Sequence, residues 1–76
     1  DLKKSIGINE KFAFINELFD GDLESYNTAI ENLNNCGNFN EAQDLLTNQL
    51  VAKYNWSEDG DCFLQLKNLL ERRFSA

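Results

Sequence analysis

Apolar residues recur every three or four positions through four stretches of the chain, a spacing that places them on one face of an α-helix. No stretch alternates apolar and polar residues with the period of two that is typical of a β-strand. The pattern therefore predicts four helices. Their apolar faces are, in chain order, Phe12, Ile15, Leu18 and Phe19; Leu23, Tyr26, Ile30 and Leu33; Ala42, Leu45, Leu46, Leu50 and Tyr54; and Phe63, Leu66, Leu70 and Phe74.

Glycine and short polar residues mark the boundaries between these helices. Gly21 suits the left-handed position that follows a helix, and Asp22 directly after it is a good N-cap for the next helix. Gly37 ends the second helix in the same way, and Asn40 is predicted to cap the third. Gly60 lies in a polar break before the fourth helix. The first three helices are joined by short connections, which favour antiparallel neighbours.

The residues before Phe12 add a short element. A leading turn is predicted around residues 2–6, with Asn9 as the N-cap of the first long helix and Ile8 as a hydrophobic staple ahead of it. The predicted fold is therefore all-α: a compact bundle of four main helices with antiparallel neighbours and a short fifth helix at the N-terminus. Residues 1–76 are expected to form a single helical domain.

Some large apolar residues lie outside the four faces. Phe14, Val51, Leu64 and Leu69 widen the apolar surface of their helices, and Trp56 is expected to fill the core between the third and fourth helices. Two interpretations remain open. If Phe14, Val51 or Leu69 is exposed beside Trp56, the patch marks a contact surface for a partner protein. In a monomer of this size these residues belong to the core.

The composition supports such a core and limits the partners. The 76 residues are 42% hydrophobic and carry a net charge of −6, and a surface of that sign repels nucleic acid and anionic membranes. The two basic pairs, Lys3-Lys4 and Arg72-Arg73, lie at opposite ends of the chain. No direct nucleic-acid contact and no membrane insertion are expected. Without an initiator Met or a signal peptide, the chain is expected to be a segment of a longer protein.

The chemistry-bearing residues argue against an enzyme. The chain has no His, which removes the usual general base and the commonest zinc ligand. A less favoured hypothesis is a small ligand-binding or catalytic domain that uses Glu17, Glu58, Asp59 and Asp61, and this hypothesis requires a cleft that holds two of these carboxylates.

Acidic loops and two cysteines are the candidate ligands for a metal ion. The sequence Asp-Gly-Asp occurs at residues 20–22 and 59–61, but neither copy has the ligand spacing of a calcium-binding EF-hand loop. Cys36 and Cys62 lack the partners of a zinc site, and the sequence leaves open whether they form a disulfide. No metal and no cofactor are expected.

Several stretches together resemble a small helical domain of uncharacterised bacterial proteins. They are Ile6-Gly7-Ile8-Asn9-Glu10-Lys11-Phe12, Glu17-Leu18-Phe19, Phe39-Asn40-Glu41-Ala42 and Leu69-Leu70-Glu71-Arg72-Arg73-Phe74. No activity or ligand is associated with that family, so the resemblance assigns no functional residue. It implies an accessory domain at one terminus of a larger bacterial protein, on the cytoplasmic side.

The leading hypothesis is a non-catalytic accessory module that binds a protein partner or another part of its own chain. Its candidate surface is the set Phe14, Val51, Trp56 and Leu69. The alternative is a regulatory domain of a nucleic-acid-associated protein. In that case the fourth helix would contact the nucleic acid, but its basic residues are few and Glu71 interrupts them; they are Lys67, Arg72 and Arg73.

Overall fold

The computed structural model describes residues 2–75, and within them it contains helices and no strand. The helices are α1 (Leu2–Ser5), α2 (Ile8–Leu18), α3 (Leu23–Asn34), α4 (residues 39–54) and α5 (Asp61–Phe74). The long helix α4 is continuous but changes type twice, from α-helix at Phe39–Asp44 to π-helix at Leu45–Leu50 and back to α-helix at Val51–Tyr54. The predicted all-α fold of four main helices with a short leading helix is confirmed.

The four long helices run alternately up and down. The end of α2 lies beside both the turn after α4 and the start of α5, because Leu18 contacts Trp56 and Glu17 contacts Cys62. We call this part of the bundle the Trp56 end, and it also holds the start of α3. The opposite part, called the Asn34 end, holds the ends of α3 and α5. Neighbouring helices in the chain are therefore antiparallel, as predicted.

The short helix α1 closes the Asn34 end. It packs against α3 and α5, and its Leu2 side chain is fully buried. The Oδ1 atom of Asn34 accepts hydrogen bonds from the backbone N of Leu2 at 2.9 Å and from Nε of Arg73 at 3.1 Å. One side chain therefore connects three helices.

An aromatic cluster fills the core at the Trp56 end. The ring of Phe19 meets the rings of Tyr26, Tyr54 and Trp56 edge-on, with centroids 5.8, 5.1 and 5.3 Å away. Trp56 also approaches Phe63 of α5 at 6.4 Å. Edge-to-face contacts of this kind stabilise beyond the area that they bury. The prediction that the indole fills the core between α4 and α5 is confirmed.

The π-helical part of α4 was not predicted. Ala42, Leu46 and Leu50 are buried and recur every four residues, whereas an α-helix has 3.6 residues per turn. In the π-helical part each turn takes up more residues, as the hydrogen bond from Val51 N to Leu46 O shows. The wider turn keeps side chains spaced by four on one side of the helix, which is the side that faces the core.

The predicted cap between α2 and α3 is confirmed. Gly21 has a left-handed backbone with φ of 85°, which glycine adopts without a steric penalty. The Oδ1 atom of Asp22 accepts hydrogen bonds from the backbone N atoms of Glu24 at 3.1 Å and Ser25 at 3.3 Å. These bonds satisfy two of the free N–H groups at the start of α3.

Two other predicted caps were wrong. Helix α2 begins at Ile8, so Gly7 and not Asn9 is its N-cap, and the exposed Ile8 side chain does not act as a staple. Helix α4 begins two residues earlier than predicted, because Asn38 and not Asn40 accepts the capping hydrogen bond from Glu41 N at 2.9 Å. Both regions contain more than one good capping residue, and the packing of the helices selects between them.

Candidate functional site

The predicted apolar contact surface is not exposed. Phe14 is fully buried, Trp56 and Leu69 are each 8% exposed, and Val51 is half-buried. The helices that carry Phe14, Val51 and Leu69 each contact more than one neighbour, so a single narrow apolar face does not suffice for packing. These side chains belong to the core or its edge, and the suggestion that they form an exposed patch is corrected.

The exposed apolar residues lie elsewhere, and two of them form a pair on α2. Ile8 is 70% exposed and Phe12 is 56% exposed. They are four positions apart, so they lie on the same side of the helix one turn from each other. We call this pair the α2 ridge. Leu23 on α3 and Leu64 on α5 are also exposed, and each is the single exposed large apolar residue of its helix.

The sequence pattern placed Phe12 and Leu23 in the core, and both placements were wrong. On α2 the buried face consists of Phe14, Ile15 and Leu18. Phe12 precedes Phe14 by two positions, which places the two rings on nearly opposite sides of the helix. Large apolar residues occur on both sides of α2 in the sequence, and this indicates a second apolar surface. A pattern that assumes one apolar face for each helix does not detect it.

Charge is divided unevenly over the molecule. Residues 2–16, which include the α2 ridge, contain three lysines and one glutamate, a formal charge of +2. Residues 17–75 contain eleven acidic and four basic residues, a formal charge of −7. The α2 ridge therefore belongs to the net-positive segment of an acidic molecule.

The negative charge is concentrated at the Trp56 end. The connections there, with the adjoining helix turns, hold seven acidic residues and one lysine. Their formal charge of −6 equals the net charge of the whole chain. These residues are Glu17, Asp20, Asp22, Glu24, Glu58, Asp59, Asp61 and Lys53.

A cleft of about 510 Å³ opens at this end, between α2 and the connection from α4 to α5. It is lined by Trp56, Cys62 and the carboxylates of Glu17 and Asp61, among others. The structure thus brings two of the four predicted carboxylates to one cleft. The other two, Glu58 and Asp59, do not line it and lie in the exposed connection.

The carboxylate of Glu17 already has a partner inside the chain. Its Oε2 accepts a hydrogen bond from Sγ of Cys62 at 2.6 Å. Burial raises the pKa of the Cys62 thiol to about 12, and the hydrogen bond to Glu17 and the charges of Glu17 and Asp61 act in the same direction. The thiol is therefore protonated at neutral pH and is a poor nucleophile.

The second cysteine is separate from the first. Both are free thiols, which answers the question of a disulfide that the sequence left open. The Sγ of Cys36 donates to the backbone O of Asn32 at 3.4 Å, and burial together with the charge of Glu41 raises its pKa. Among residues 2–75, no three His, Cys, Asp or Glu side chains are grouped so as to hold a metal ion.

A second groove of about 360 Å³ lies between α3 and the π-helical part of α4. Polar residues such as Ser25, Thr28, Asn32 and Gln49 line it, together with Leu45 and Lys53. The apolar spacing does not predict this groove, because the π-helical turn that borders it depends on tertiary packing. The described helices include none with the length and apolar character needed to cross a membrane.

The basic residues of α5 are partly used in tertiary contacts. Arg73 donates to Asn34, and its guanidinium carbon lies 4.9 Å from the centre of the Phe74 ring. Lys67 is half-buried, whereas Arg72 is exposed beside Glu71. The three basic side chains of this helix therefore do not form one continuous exposed surface.

A family model described as "Domain of unknown function (DUF8457)" matches residues 3–75 of the chain. The match confirms the resemblance to an uncharacterised small helical domain. No curated protein and no solved structure matches the chain.

Proposed function

We propose, from the premise that the chain belongs to this family of unknown function, that it is a non-catalytic accessory module and binds a protein partner through the α2 ridge. The partner is a separate protein or another part of the protein that carries the module. The resemblance noted in the sequence further suggests a larger bacterial protein and a cytoplasmic location.

The exposure of Ile8 and Phe12 carries this proposal. Single exposed apolar residues are common on protein surfaces, but two large ones on the same side of one helix form a small patch. Burying a fully exposed side chain of this size stabilises by roughly 1.5–3 kcal/mol, and Ile8 and Phe12 gain less in proportion because they are 70% and 56% exposed. This apolar surface is not buried when the chain folds, because the opposite side of α2 packs into the core.

The chemistry of the cleft at the Trp56 end supports a non-catalytic role. The chain has no His, and the Cys62 thiol has a pKa of about 12. The Glu17 carboxylate accepts a hydrogen bond from that thiol. A general base needs a pKa near the working pH, which the Cys62 thiol lacks.

Affinity capture of the intact protein that carries this chain tests the proposal. The test variant is Ile8→Gln with Phe12→Gln, and the matched control is Leu23→Gln with Leu64→Gln, which removes the same number of exposed apolar side chains elsewhere. We expect mass spectrometry to show a partner that is lost with the test variant and retained with the control. Circular dichroism melting curves verify that both variants fold.

The proposal is overturned if the test variant is folded and captures the same proteins as the unmodified chain. It is also overturned if the control variant loses the same partner to the same extent, because the effect would then not be specific to α2.

A further inference from the structure

We infer that the α2 ridge docks against an acidic amphipathic helix of the partner protein. This inference rests on the proposed function, and it adds the chemical class and charge of the segment that is bound.

The charge of the segment that carries the α2 ridge favours an acidic partner. Lys4 is exposed on the helix that precedes α2, and Lys11, which lies between Ile8 and Phe12 in the sequence, is half-buried like Glu10. The segment of residues 2–16 carries a formal charge of +2, whereas residues 17–75 carry −7. An apolar pair accompanied by lysines attracts a segment that combines apolar side chains with carboxylates.

The exposed residues of α2 next to the ridge carry no charge. The other exposed residues of α2 are Asn9 and Asn16, which are uncharged, and Glu17, which is the last residue but one of the helix and lies at the Trp56 end. The nearby Glu10 is half-buried, and its Oε1 accepts a hydrogen bond from the backbone N of Gly7 at 3.0 Å. The outer face of α2 therefore presents no exposed carboxylate at positions 8–16 that would repel an acidic partner.

The shape of the α2 ridge suits a helical partner. The ridge is formed by side chains one turn apart on a single helix, and such a row packs into the groove between the side-chain rows of another helix. A partner helix with apolar residues three and four positions apart provides that groove. The strongly negative Trp56 end repels the same helix, so the charge distribution directs an acidic partner to the other half of the molecule.

The test uses the intact protein and fluorescently labelled synthetic peptides whose binding is followed by anisotropy. One peptide is an amphipathic helix of Leu, Ala and Glu, and the second is identical except that Lys replaces Glu. Vesicles of phosphatidylcholine and phosphatidylserine test an anionic lipid surface as the alternative occupant, and size-exclusion chromatography with light scattering tests a second copy of the chain.

Two charge variants complete the design. Lys4→Glu with Lys11→Glu reverses charge in the segment of the ridge, and Lys53→Glu reverses charge at the Trp56 end as the matched control. We expect the Glu peptide to bind and the Lys peptide not to bind. We expect the first charge variant to weaken Glu-peptide binding about tenfold or more, with a much smaller effect of the control, and added salt to weaken binding as well.

The inference is overturned if neither peptide binds, if the two peptides bind equally, or if the ridge instead mediates vesicle binding or self-association. The two proposals fail in different ways. If Ile8→Gln with Phe12→Gln removes a captured partner but the lysine reversals do not, the proposed function stands and the acidic-helix inference fails. If neither variant changes capture, both fail.

Discussion

The indole Nε1 of Trp56 donates a hydrogen bond to the backbone O of Leu18 at 2.5 Å, which connects the turn after α4 to the end of α2. The backbone holds the indole in place, because Asn55 before it is left-handed with φ of 55° and ends α4. The backbone N of Trp56 then donates to the O of Val51 at 3.2 Å, the bond that defines a Schellman motif. The way in which α4 ends thus directs the Trp56 side chain towards Leu18 on α2.

The Trp56 contact predicts a specific loss of stability. Trp56→Phe keeps an aromatic ring but removes the donor, which leaves the O of Leu18 without this partner, and we expect the free energy of unfolding to fall by about 1–3 kcal/mol. Urea unfolding followed by circular dichroism measures the change. The control is Tyr54→Phe, which keeps the ring stacked on the indole. Equal losses in the two variants would show that the hydrogen bond is not responsible.

The two phenylalanines of α2 predict opposite outcomes. Phe14→Ala removes a fully buried ring, and we expect a loss of about 3–5 kcal/mol. Phe12→Ala changes an exposed ring, and we expect a change within about 0.5 kcal/mol. Because Phe14→Ala risks complete unfolding, Phe14→Leu provides a milder variant with an expected loss near 1 kcal/mol. A larger loss for Phe12→Ala than for Phe14→Leu would contradict the assignment of faces.

The bridge at Asn34 predicts how α1 is held. Asn34→Ala removes the acceptor of Leu2 N and Arg73 Nε, and we expect a loss of about 1–2 kcal/mol. Hydrogen exchange of the α1 amides should also accelerate, because a helix of four residues does not persist without tertiary contacts. Asn35→Ala, at the exposed neighbouring position, is the control and should leave exchange unchanged. Unchanged α1 exchange in Asn34→Ala would show that the buried Leu2 side chain alone holds the helix.

The Cys62 thiol predicts a pH dependence of stability. Its pKa is about 12 in the folded chain against an ordinary value of 9.0, so the unfolded chain loses the proton first as pH rises. The contribution of the protonated thiol to the free energy of unfolding is complete below pH 9.0, and it is lost progressively between pH 9.0 and about 12. Unfolding measured from pH 8 to 11 in a Cys36→Ser background should show this decline.

Two variants isolate the contribution of the thiol. In Cys62→Ser the decline of stability that other titrating groups cause remains. The difference between the stability curves with and without this substitution therefore measures the contribution of Cys62. Glu17→Gln removes the charge and the carboxylate acceptor, and the thiol pKa should fall while remaining raised by burial, which is the largest cause. Thiolate absorbance near 240 nm measures that pKa directly. A Cys62 pKa at the ordinary value in the unmodified chain would contradict the structure.

Local chemistry was sufficient to predict the fold class. Helical spacing, the pair Gly21-Asp22 and the short connections act over a few residues, and they specify four antiparallel helices without knowledge of the tertiary structure. Trp56 was also placed correctly, because a small domain rarely leaves an indole in solvent.

The location of the candidate surface depended on tertiary packing. Phe12 and Phe14 both fit helical patterns, and the choice between them follows from the contacts of α2 with both α3 and α5. The same holds for the choice of Asn38 over Asn40 as the cap of α4 and for its π-helical turn.

The pairs that shape the Trp56 end are the furthest from prediction. Trp56 and Leu18 are 38 positions apart, and Cys62 and Glu17 are 45 apart. Spacing along the chain carries information about neighbours within a few turns, because helix periodicity and capping are short-range effects. Contacts across such distances form when separate helices pack, and packing depends on the shapes of all the buried side chains together.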